Sequence, residues 1–209
     1  MNIACRWLGL ALVLSALLGC SDQPGRVGTP DLDADDAAEQ AINEFDRDAD
    51  AALNTDELSA CPALLNAMPV YDADRDGQLA QAEIAAGISS WSRRGIGGIP
   101  LPFTVRLDGR PLSGAQIKLI PESFLSQAVK PAIGEADGSG SGLLNMSPED
   151  RPSNLPKNLA LIQPGLYRVE ISHPTAKVPA KFNSSTTLGL EAAIAGQNPA
   201  GVTWDLSSK

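Results

Sequence analysis

The chain has 209 residues, 43% hydrophobic and 20% charged, enough for one medium domain or two small ones. Its 25 acidic and 16 basic side chains leave a net charge of −9, the wrong sign for a protein that must neutralise phosphates, so no nucleic-acid partner is expected. One histidine, His173, excludes most histidine-built metal centres and leaves little for acid–base catalysis, and the few aromatics offer no stacking platform.

Residues 1–19 have the three parts of an export signal. Arg6 gives a positive start, residues 8–18 form an apolar run too short to span a bilayer, and small residues close it before Cys20. The ending Leu17-Leu18-Gly19-Cys20 resembles the lipobox of bacterial lipoproteins. That resemblance implies cleavage before Cys20, lipidation of its thiol and amine, and a membrane anchor built from acyl chains. It places the protein in the cell envelope, at the outer membrane or the periplasmic face. Of the three cysteines, Cys5 then leaves with the signal and Cys20 is acylated. Cys61 is left without a disulfide partner and is expected as a small buried residue.

Charge divides the remainder. Residues 20–98 hold 16 acidic against 5 basic side chains, whereas residues 99–209 hold 9 against 10. The acidity therefore has a local cause. Residues 20–34, polar and punctuated by Pro and Gly, read as a disordered tether. Residues 93–100, RRGIGGIP, read as a linker between an acidic unit over 35–92 and a second unit over 101–209. The second unit is expected to fold alone.

Residues 72–83, DADRDGQLAQAE, carry oxygen donors at the spacing of a tightly turning cation loop. Asp72, Asp74 and Asp76 take positions 1, 3 and 5, Gly77 the sharp turn at 6, Gln78 a carbonyl at 7, and Glu83 a bidentate carboxylate at 12. Residues 46–57, DRDADAALNTDE, repeat the pattern with Asp46, Asp48, Asp50, a carbonyl from Ala52, Asn54 at position 9 and Glu57. Ala51 replaces the turn glycine, which costs roughly 1–2 kcal/mol for an L-residue in the left-handed region. Loop one is therefore expected to bind more weakly. Leu53 and Leu79 both stand at position 8, where paired loops exchange a short antiparallel contact. Ile42 and Phe45 give an apolar face to an entering helix over residues 35–45, and Ile84, Ile88 and Trp91 give one to an exiting helix. The connector LSACPALLNAMPVY, with Pro62 and Pro69, reads as one shared or kinked helix. The segment resembles an EF-hand pair, with the compact spacing of bacterial and dockerin-like pairs, and the resemblance implies bound Ca²⁺.

After Pro102 the apolar period becomes two. Alternation marks strands over residues 103–107, 115–119, 167–171, 188–190 and 202–206, with a short apolar run at 159–162 and a flexible turn at 134–142. The ordered pieces LDGRPLSGAQIKLIPE, GEADGSGSG, PGLYRVEI and STTLGLEAAIAGQNPAGVTWDL resemble a regulatory-like domain of the carboxypeptidase and transthyretin type. That resemblance implies a non-catalytic β-sandwich. His173 is expected as a loop residue, Asp137 as a turn former, and GSGSG lacks the lysine of a phosphate loop.

These readings converge on an α+β multidomain chain, a small helical EF-hand-like pair followed by an antiparallel β-sandwich. The function they imply is calcium binding by a lipid-anchored envelope protein with no enzymatic activity and no small-molecule substrate. The alternative is a dockerin-like module that folds on calcium and presents a helix to an envelope protein partner.

Overall fold

The computed structural model describes residues 28–93, 95, 97–151, 158–193 and 201–209. Residues 1–27, on which the expected export signal, Cys20 and most of the expected tether fall, lie outside the described residues, and among those described no helix is long and apolar enough to cross a membrane.

Helices come first. α1 (Ala34–Phe45) starts at Asp33, whose carboxylate accepts from the Asp35 and Asp36 amides and so satisfies two orphan donors of the first turn. Its buried stripe, Ala37, Ala38, Ala41 and Phe45, has helical spacing. Strand β1 (Ala52–Asn54) runs into α2 (Thr55–Leu58), a single turn closed by a reciprocal cap between Asn54 and Glu57. The connector expected as one shared or kinked helix is split. Residues 59–61 break it, and α3 (Pro62–Tyr71) restarts at Pro62, where a missing N–H costs nothing. Pro69 falls in the last turn of α3. Strand β2 (Gln78–Ala80) leads into α4 (Gln81–Arg93), which buries Ile84, Ile88 and Trp91.

The remainder is mostly antiparallel β. β3 (Leu101–Leu107), β4 (Arg110–Pro111), β5 (Gln116–Pro121), β6 (Ala132–Glu135), β7 (Ser141–Met146), β8 (Gly165–Ser172), β9 (Gly189–Ala192) and β10 (Val202–Leu206) join along the path β10-β3-β7-β6-β5-β8-β9, with β4 paired to β3. The sequence pattern predicts an antiparallel β-sandwich; the strands are mostly antiparallel and hydrogen-bond along one path that curls into a half-barrel. One pair departs from the antiparallel expectation, because β10 runs parallel to β3. The run at 159–162 makes only an isolated bridge, Ile162 to Ile99.

The segment read as a flexible turn contains the end of β6 and the start of β7. Asp137 builds the turn between them, its carboxylate accepting from the Ser139 and Ser141 amides. The Ser139 hydroxyl donates to the same carboxylate, and that bond, then the two amides, hold the carboxyl of Asp137 below its ordinary range. Glycine is required beside this turn, since a Cβ on Gly142 would stand 2.5 Å from the Glu135 carbonyl and 2.6 Å from the Phe103 ring.

Helices and sheet share one hydrophobic core, which runs from Ala37 through Leu64 and Ile88 to Leu119, Tyr167 and Leu206. α3 lies across β8 and β9. Phe45 meets Phe124 edge-on, with ring centroids 6.4 Å apart. Residues 99–209 thus contribute to a core they share with the helices.

Candidate metal centre

Both acidic loops close on themselves in the same way. In loop one, Asp46 accepts from the Ala49 amide at 2.7 Å through Oδ1 and from the Ala51 amide at 3.0 Å through Oδ2. Asp48 accepts from the Asp50 amide, and Asp50 from the Ala52 amide. In loop two, Asp72 accepts from the Asp76 and Gly77 amides, Asp74 from the Asp76 amide, and Asp76 from the Gln78 amide. Each aspartate turns inward because its oxygen is tethered to a backbone N–H two to five residues on.

The closing glutamates complete the match. Glu57 accepts from the Arg47 amide at 2.7 Å through Oε1 and from the Asn54 amide at 3.0 Å through Oε2. Glu83 accepts from the Ala73 amide at 2.7 Å and from the Ala80 amide at 3.0 Å. Each carboxylate therefore bridges the second and ninth places of its own loop. β1 and β2 then pair antiparallel, with Ala52 opposite Ala80, Leu53 opposite Leu79 and Asn54 opposite Gln78. Leu53 and Leu79 are fully buried and pin the loops to the core.

Convergence of like charge has an electrostatic consequence. Carboxylate oxygens of Asp46, Asp48 and Asp50 lie within 4.8 Å of one another, as do those of Asp72, Asp74 and Asp76. Desolvation by the surrounding loop, then the charges of Asp50 and Glu57, push the Asp48 carboxyl up. Glu57 goes the other way, because the Arg47 and Asn54 amides stabilise its charged form. The donors are carboxylate and carbonyl oxygens, a set that suits a hard divalent cation and not a soft one.

The loops differ in two respects. Ala51 takes φ 68° where Gly77 takes φ 86°, so the L-residue does occupy the left-handed region. Ala49 and Arg75 share a second such place, at φ 62° and 63°, so the extra strain in loop one sits at Ala51. Asn54, expected as a ligand at the ninth place, uses its amide oxygen to cap α2 through the Asp56 and Glu57 amides.

Two buried carboxylates, Glu122 and Glu191, lie outside the sequence reading. Glu122 and Glu191 join the sheet to the helices, and Cys61 touches the first of them. Glu122 accepts from the Ala63 amide, faces Arg168 at 3.6 Å and is hydrogen-bonded to the Cys61 thiol. Burial, then the neighbouring Glu122, pushes the Cys61 thiol up, which fits the inert, small buried residue expected of it. Each carboxylate is a lone charge in an ordinary stretch, with no spacing motif to announce it.

His173 sits in the loop after β8. Its Nδ1 accepts from the Ala176 amide at 2.7 Å, and its Nε2 donates to the Ser113 carbonyl at 2.8 Å, so the ring joins two loops. On the outer face of the sheet, a depression of about 360 Å³ is lined by Gln116, Lys118, Ile133, Glu135 and Glu170. Lys118 stands directly opposite Glu170 on neighbouring strands, a register that sets opposite charges on one face of the sheet. Comparison with known protein families, curated proteins and solved structures finds no match to the chain.

Proposed function

We propose that the protein is a non-catalytic, calcium-binding lipoprotein of the cell envelope, with an EF-hand-like pair docked on a β-sandwich-like scaffold. The observation that carries the reading is the repetition of one donor arrangement in two loops, each closed by a glutamate in the same pair of bonds. Two such loops, joined back to back through Leu53 and Leu79, have the internal symmetry of a paired cation site. Calcium when bound would supply positive charge to two carboxylate clusters that otherwise repel. The chain's own part is to hold those oxygens inward on backbone amides before any ion arrives. The role of calcium is structural, since envelope sites face high external calcium and need only weak affinity. The docking alternative has less support, because α3 buries its apolar residues against β8 and β9.

Calorimetric calcium titration of the full chain tests this. The expected result is two binding events, with Glu83→Gln removing the tighter and Glu57→Gln the weaker. Ala51→Gly should tighten the weaker event by about five- to thirtyfold, the equivalent of roughly 1–2 kcal/mol of relieved strain. An absence of binding heat at millimolar calcium would end the reading, and unchanged affinities in Ala51→Gly would remove loop one from it.

The anchor is carried by the sequence around Cys20. Cys20→Ala should leave the chain unprocessed or release it from the membrane fraction. A variant that is processed and partitions like the wild type would show that Cys20 carries no anchor.

A further inference from the structure

Glu191, on β9, is 3% exposed and has no charged partner among the described residues. Its Oε1 accepts two hydrogen bonds, from the Tyr71 hydroxyl at 3.1 Å and from Trp91 Nε1 at 3.2 Å. Oε2 is buried and has no hydrogen-bond partner among the described residues. The backbone of the same residue is tied to α3, through the Glu191 amide and Asn66 Oδ1 at 3.4 Å.

The two donors occupy particular places. Tyr71 is the last residue of α3 and immediately precedes Asp72, which opens loop two. Trp91 lies on α4, the helix that leaves loop two and carries Glu83 in its first turn. One carboxylate oxygen in the sheet thus holds the helix entering loop two and the helix leaving it. The Tyr71 ring has little freedom, because it lies against Gly87 of α4 so closely that a Cβ there would stand 2.3 Å from the ring. A buried carboxylate with one oxygen unpaired is costly unless its remaining bonds are strong, which makes the arrangement intolerant of either donor moving.

We infer that Glu191 is a positioning residue for loop two: from the sheet it fixes the angle between α3 and α4, and with it the approach of Asp72 and Glu83 to a common cation. The inference rests on the calcium reading above. Among the described residues, neither α1 nor α2 is hydrogen-bonded to Glu191, so its hold on loop one is indirect, through the pairing of β1 with β2 and the packing of α1 on α4.

The test is calcium titration of the full chain in two backgrounds, Glu57→Gln, which leaves loop two, and Glu83→Gln, which leaves loop one. With loop two alone, Glu191→Ala should weaken binding by about tenfold, the scale of one lost hydrogen bond to a charged group. Glu191→Gln keeps an acceptor oxygen and should recover most of that loss. With loop one alone, Glu191→Ala should change affinity by less than about twofold. Tyr71→Phe removes one hydroxyl and should weaken loop two in the same direction; it serves if Glu191→Ala does not fold. Indole emission gives a second readout: filling loop two should shift the Trp91 emission of the wild type and leave that of Glu191→Ala unmoved. Equal weakening of both loops, or an unchanged loop two in both Glu191→Ala and Tyr71→Phe, would overturn the inference while leaving the calcium reading intact. A wild-type chain that takes up no calcium would sink both.

Discussion

Gly189→Ala should unfold or severely destabilise the whole protein, although it adds one methyl group. A Cβ at Gly189 would lie 1.8 Å from the Pro62 carbonyl oxygen, 2.0 Å from its carbon and 2.4 Å from the Ala63 nitrogen. All three are backbone atoms of the first turn of α3, so no side chain can rotate away. Withdrawal of α3 from β9 would strain the bond between the Ala63 amide and Glu122, and the Tyr71 contact with Glu191 at the other end of the helix. Overpacking of a well-filled core costs about 1–3 kcal/mol, and a clash with fixed backbone belongs at or above the top of that range. Urea denaturation followed by far-ultraviolet dichroism measures it. Gly138→Ala is the control, because a Cβ there meets nothing within 4 Å. Equal midpoints for the two variants would mean that α3 and β9 are not in this contact in solution.

That contact marks the limit of what the sequence disclosed. The loops were legible because their donors recur at fixed places, and because Leu53 and Leu79 stand at the one position that can pair. Even the strained turn at Ala51 could be anticipated, since the pattern demands a glycine there and the chain supplies none. The docking of helices on sheet had no such signal. It rests on Gly189, Glu122 and Glu191, single residues far from their partners in the chain, and no periodicity connects them. The charge split reports the solvated loops and says nothing of the apolar interface behind them. Strands β6 and β7 were obscured for a related reason. Gly134 and Gly142 interrupt their alternation, yet the Phe103 ring occupies the space that side chains at both positions would need.

Glu122 should make the calcium-free protein less stable as pH rises through neutrality. α3 begins at Cys61, which makes no side-chain cap, and the carboxylate of Glu122 reaches in from the end of β5 to accept from the Ala63 amide. A negative charge at a helix N-terminus is ordinarily favoured. Here burial outweighs that gain: Glu122 is 2% exposed, and desolvation raises its carboxyl from 4.5 to about 7 despite Arg168 and the Ala63 amide, with Glu44 adding to the rise. The folded state therefore binds a proton more tightly than the unfolded chain does. By linkage, the stabilisation is complete below the unfolded value of 4.5 and is lost as pH climbs through about 7. A shift of that size corresponds to about 3 kcal/mol between pH 4.5 and pH 8. Glu57, Asp108 and Asp137 are shifted downward, so their contributions disappear only at more acid pH, whereas Asp48 is pushed up like Glu122 and is removed by comparison with a Glu122 variant. Subtracting a Glu122→Gln variant, which keeps the acceptor for Ala63, cancels whatever the rest of the chain contributes. Urea midpoints measured in chelator at half-unit steps from pH 5 to pH 8 should fall for the wild type relative to Glu122→Gln. Parallel curves for the two proteins would show that Glu122 is ionised in the folded state throughout, with Arg168 and the α3 N-terminus, and not burial, deciding its charge.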